Sequence, residues 1–128
     1  YLELRLAVAE ETDLPVVPNW APNDTILNGD ISVVSRSNSL RLQGIYKIDD
    51  GEFTIRIVLY DSLPEEYSSI YQNNNLIKEY KLNGVIHYLM ENNGAYSAVW
   101  TNENAEVLIQ GDLSTEDLEK MINSVYKG

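Results

Sequence analysis

The stretch GVIHYLMENNGAYSAVWTNENAEVLIQGDLSTEDLEKMINSVY, residues 84–126, decides the fold. Three apolar runs, Val85–Glu91, Ala95–Thr101 and Ala105–Gln110, are separated by Asn92-Asn93-Gly94 and Asn102-Glu103-Asn104. Gly111-Asp112 closes the last run. Short polar connections between such runs predict sequential antiparallel pairing, a meander. A helix follows. Ser114 is placed to cap it, with Asp117 three residues on, a capping box with Asp in place of Glu. Leu113 and Leu118 can staple its start, and Glu116 and Asp117 suit the positive end of a helix dipole, as Lys127 suits the far end. Leu118, Met121, Ile122 and Val125 recur at i, i+3, i+4 and i+7, one apolar stripe that needs a sheet to lie on. The expected fold is α+β: a curled, mostly antiparallel sheet with a C-terminal helix packed on one face.

Working back toward the N-terminus, Asn83-Gly84 is a strong hairpin signal and joins Leu76–Leu82 to the meander. Phe53–Tyr60 alternates: Phe53, Ile55, Ile57 and Leu59 face one way, Thr54, Arg56, Val58 and Tyr60 the other. Asp49-Asp50-Gly51 turns it back on Leu40–Ile48, with Asp-Gly supplying the positive φ of a tight turn. Ile31–Ser35 reads as a further strand. Between the halves, Ser62-Leu63-Pro64-Glu65-Glu66 carries helix-start residues, and Tyr67, Ile70 and Tyr71 predict a turn or two of helix ended by Asn73-Asn74-Asn75. Residues 10–28 hold three of the four prolines, Pro15, Pro18 and Pro22. Each removes a backbone donor, so this is an extended loop with Val16, Val17 and Trp20 as anchors. Leu2, Leu4, Leu6 and Val8 alternate with Glu3 and Arg5, a period of two that predicts a strand over 2–9; the tail of a helix is the alternative.

At 128 residues the chain is expected to be one domain, residues 1–128. Its 44% hydrophobic content is enough for a core without staples. Nine basic against twenty acidic residues give a net charge of −11, which repels phosphate backbones and argues against nucleic acid as a partner. The absence of Cys excludes disulfides, thiol nucleophiles and thiolate metal sites. His87 is the single histidine, so neither a zinc ligand set nor a triad is readable, and Gly94-Ala95-Tyr96-Ser97-Ala98 misses the final glycine of a nucleophile elbow. The paired acids Glu10-Glu11, Asp49-Asp50 and Glu65-Glu66 read as solvated turn residues, and Asp49-Asp50-Gly51-Glu52 lacks the spaced ligands of a calcium loop. No cofactor or metal is expected, and no catalytic residue is assigned. The aromatics are the remaining clue. Tyr88, Tyr96 and Trp100 fall on neighbouring strands and Trp20 on the proline loop. These four are the candidate ligand-binding residues, set against the simpler role of cross-strand packing.

Asn83-Gly84-Val85-Ile86-His87-Tyr88, then Ala98-Val99-Trp100, then Ile109-Gln110-Gly111-Asp112-Leu113-Ser114, then Glu116-Asp117-Leu118 and Ile122-Asn123-Ser124-Val125-Tyr126 form a recognisable series. With Val17-Pro18-Asn19-Trp20-Ala21-Pro22 and the hairpin from Arg41 to Ile57, it resembles an uncharacterised domain family of Gram-positive bacteria, mostly Firmicutes. The likeness runs from Pro15 to Tyr126 and departs at Asn23-Asp24, where a Gly-Tyr pair is usual. The resemblance implies a domain that follows a membrane span in anti-sigma-factor-like regulators, or that sits in lipoproteins. It carries no established activity. It implies an extracytoplasmic, cell-surface address, a membrane anchor through a removed N-terminal segment, and a sensing role toward an unknown ligand or protein partner. A carrier holding an apolar or cell-wall ligand between sheet and helix is the alternative; a hydrolase with unpaired acids is the third.

Overall fold

The computed structural model describes residues 2–62 and 75–127. The order is α1 (Leu2–Ala9), β1 (Ile26–Leu27), β2 (Ser32–Ser35), β3 (Ser39–Ile48), β4 (Gly51–Tyr60), β5 (Asn75–Leu82), β6 (Val85–Asn92), β7 (Ala95–Asn102), β8 (Ala105–Gly111) and α2 (Thr115–Val125). The expected α+β architecture is the one observed. One sheet runs β1-β3-β4-β8-β7-β6-β5, with β2 beside β1 on the same edge of β3. All pairings are antiparallel. The β5–β8 meander and the β3–β4 hairpin join where β8 lies beside β4, with Ile55 opposite Ile109 and Ile57 opposite Val107. The expected helix at Ser62–Tyr71 falls, beyond Ser62, outside the described residues.

The turns follow the sequence signals with one change of cause. Asn83 and Gly84 take φ of 56° and 77°, and Asn93 and Gly94 take 54° and 83°, the left-handed pairs that match strand twist. At the β3–β4 turn Ile48 pairs with Gly51, so the two loop residues are Asp49 and Asp50, and neither has positive φ. Gly51 is there for space: a Cβ on it would strike the Asp112 carboxylate. That carboxylate accepts the Glu52 N–H at 3.0 Å and ties this turn to the approach to α2.

α2 forms as its residues dictate. Ser114 is the N-cap and its Oγ accepts the Asp117 N–H at 3.0 Å. Leu118, Met121 and Ile122 are fully buried. The helix packs over β6 and β7. A helix about 10 Å wide covers roughly two strands, whereas seven strands in a row span about 29 Å. The rest of this face needs another cover, and the N-terminal segment supplies it. Residues 2–9 are helix, which corrects the strand expectation, and α1 packs on β3. Leu4 and Val8, four apart, are buried, while Leu6, which the strand reading placed with them, is 63% exposed. The proline loop contributes Val16 and Val17 to the same core. The loop reading missed the short β1, which pairs Ile26 and Leu27 with Lys47 and Tyr46.

Candidate functional site

The inner face of the sheet, toward α2, is continuous core. Tyr46, Phe53, Ile55, Ile57, Leu89, Ala98, Trp100, Val107 and Ile109 belong to it with the α2 stripe. His87 is sealed there at 0% exposure. Its Nδ1–H donates to the Tyr80 carbonyl at 2.8 Å, because a carbonyl can only accept. Burial holds the imidazole pKa below its ordinary value, so the ring is neutral and Nε2 is an acceptor. The Tyr126 hydroxyl donates to it at 2.6 Å. The ring also meets Trp100 edge-on, centroids 4.7 Å apart. Nearby, the Tyr80 hydroxyl donates to Asn123 Oδ1 at 2.6 Å and Lys78 pairs with Glu119 at 3.3 Å. These contacts dock α2 on β5 and β6 through polar side chains whose pairing no local pattern reveals. Among the described residues His87 has no nucleophile or carboxylate partner; its bonds make it a strut between sheet and helix.

The opposite face buries a second, smaller apolar cluster, Met90, Val99 and Leu108, with Tyr88 packed against it. Glu106, on that face by strand alternation, is 7% exposed. Burial raises its pKa to about 7, against the pull of the Arg56 charge and a hydrogen bond from Tyr60. Its Oε2 and the Arg41 Nε have no hydrogen-bond partner among the described residues. A glycoside-cleaving pair needs two carboxylates facing a cleft; the neighbours that act on Glu106 are a guanidinium and a phenol. Among the described residues no three His, Asp or Glu side chains gather as metal ligands would.

The four aromatics singled out from the sequence do not converge. Trp100 is 0% exposed in the inner core. Tyr96 lines the same face, packed against that core, and Tyr88 lies on the other side of the sheet. Trp20 is half-buried at the rim. The proline loop carrying it is pinned to α2: the Asn19 N–H donates to Ser124 Oγ at 2.8 Å, and Ser124 in turn donates to the Met121 carbonyl at 2.6 Å. The Lys120 ammonium sits 5.5 Å from the Trp20 ring centroid, a cation–π contact.

Two clefts flank this loop. One, about 300 Å³, is bounded by Asn19, Trp20, Lys120, Asn123, Ser124 and Lys127. The other, about 390 Å³, lies between α1, the start of the proline loop, the Asn83 turn and the end of α2. Lys127 borders both. Three of the nine basic side chains of this acidic chain, Arg5, Lys120 and Lys127, therefore line the two clefts. The sequence offered one sign of this, lysines on the polar side of the final helix, but nothing that placed Arg5 beside them.

The protein is thus a two-layer α+β domain whose helix-side rim carries adjoining clefts of mixed polar and apolar character. Residues 15–125 match the family described as a domain of unknown function, DUF4367, and the chain belongs to that family. No curated protein and no solved structure matches it.

Proposed function

We propose that this chain is a non-catalytic binding or sensing domain on the extracytoplasmic side of a membrane, held there by preceding sequence in a regulator or lipoprotein. The observation that supports the reading is the rim at Trp20. A half-exposed indole, a lysine over its ring, two asparagines and a second lysine border one groove on a loop bonded to a rigid helix. Such a mix of aromatic body and a few fixed polar groups suits recognition of a small ligand. The net charge of −11 keeps nucleic acid out of the candidate partners. The carrier alternative asks for an apolar space between sheet and α2, and Leu118, Met121 and Ile122 occupy that layer at 0% exposure.

Protease added to intact cells carrying the full-length gene product tests the location. Loss of an epitope placed after Lys127 without lysis is the expected result. Protection until the cells are broken would overturn the extracytoplasmic reading.

A further inference from the structure

We infer that the 390 Å³ cleft binds a small molecule with one carboxylate on an apolar body, and that its occupant clamps α1 to the rest of the domain. The inference rests on the binding-domain reading above and names the ligand class and the moving part. The cleft is a seam. One wall is α1, through Arg5 and Val8; the other is the end of α2, through Val125 and Lys127. α1 lies ahead of the family-matched residues 15–125. An eight-residue helix is too short to stand alone and depends on its contacts. Those contacts include the buried Leu4 and Val8, Ala7 against the core, and the Arg5 Nη1 donating to the Val17 carbonyl at 2.8 Å. α1 is therefore an element whose docking a ligand can shift, provided the ligand prefers the docked state.

The chemistry of the walls selects the ligand. Val8, Leu14, Val16 and Val125 give the cleft an apolar side, and Arg5 and Lys127 bring a cation from each wall. Among the described residues no carboxylate pairs with the Lys127 ammonium. Asp13 is the one acid among the described lining residues and is exposed. Two cations against one acid suit a single negative charge better than a doubly charged phosphate. A carboxylate between Arg5 and Lys127 would bridge α1 to α2, and the apolar body would cover the valines. The volume lies at the small end of ligand pockets, so the occupant is a small molecule.

The test is an NMR titration of the 128-residue chain with hexanoate and with N-acetyl-leucine, each against its own amide. The expected result is saturable shifts at Arg5, Val16 and Lys127 with at least one acid, and binding of its amide at least about tenfold weaker. Lys127→Gln, at an exposed position, should weaken the acid by about tenfold, and hydrogen exchange in α1 should slow by about tenfold when the acid is bound. No saturable binding of either acid up to roughly 10 mM overturns the inference. So does equal binding of the amide, an inert Lys127→Gln, or unchanged exchange in α1. The outcomes separate from the location test: a surface-exposed domain blind to both acids keeps the binding-domain reading and loses this cleft.

Discussion

His87 and Glu106 are both nearly closed off from water, at 0% and 7% exposure, on opposite faces of one sheet. The inner face gives each imidazole nitrogen a partner. The outer face leaves Glu106 Oε2 without one among the described residues. Burial disfavours charge in both, so it lowers the histidine and raises the glutamate. The same physical cause thus gives the two faces opposite responses to pH. It also shows where the chain spends specificity: the inner face is fixed by directional bonds to α2, while the outer keeps one side chain that favours its neutral, protonated form.

The largest effect should come from breaking the inner face. Trp100→Ala removes a fully buried ring that packs edge-on against His87. It should cost about 3–5 kcal/mol in urea unfolding at pH 7. A cost under about 1 kcal/mol would mean that the indole is not part of the packed layer.

The second prediction concerns pH. Glu106 has its folded pKa near 7 against an ordinary 4.5. The folded state then binds the extra proton between those values, so the contribution to stability is full below about 4.5, declines as pH rises, and is gone above about 7. His87 has the reverse sign: its contribution is full above the ordinary 6.5 and declines as pH falls toward the lowered folded value. Just below 6.5 the two slopes oppose each other. Glu106→Gln should therefore gain on the native chain as pH rises from 4 to 8, by up to about 3 kcal/mol, and should leave a curve that falls only on the acid side. A difference between the two chains that does not change with pH would show that Glu106 titrates as an ordinary surface acid.

The strands and α2 were legible because their signals are local. Alternation in β4, the Asn-Gly turns and the Ser114 cap act over a few residues. α1 was misread because Leu4 and Val8 satisfy a period of two and a spacing of i, i+4 together; only the docking on β3 separates the two. β1 was invisible because two residues make a strand only by pairing with Tyr46 and Lys47, twenty residues on. At the site, Trp20 could be picked out as an aromatic on a loop. Its partners could not: Lys120 and Lys127 come from the far end of the chain, and Arg5 reaches the neighbouring cleft through a helix that pattern alone did not reveal. Glu106 was not singled out, because its burial follows from a second apolar cluster on the face away from α2.

Tyr126→Phe sharpens the inner half of the comparison. It keeps the ring against His87, 5.6 Å between centroids, and removes only the hydroxyl that donates to Nε2. A buried acceptor is left unpaired, which should cost about 1–3 kcal/mol. The loss should not shrink at low pH, because the hydroxyl that donates to a neutral Nε2 can accept from a protonated one. A cost under about 0.5 kcal/mol at both pH 5 and pH 8 would say that the hydroxyl makes no bond that matters to the fold.

The smallest effect isolates helix formation from both faces. Ser114 is exposed and touches neither buried group, but its Oγ holds the Asp117 N–H at the start of α2. Ser114→Ala should cost about 1 kcal/mol, independent of pH between 4.5 and 8, and Ser114→Asp should restore most of it. Because α2 carries Tyr126 to His87 and Lys127 to the clefts, fraying at Ser114 tests whether the two ends of the helix are coupled. If hydrogen exchange rises only in the first turn, the polar docking by Tyr80, Glu119 and Tyr126 holds the C-terminal half on its own. If it rises along the whole helix, α2 moves as one body, and the inner face and the rim clefts share one stability.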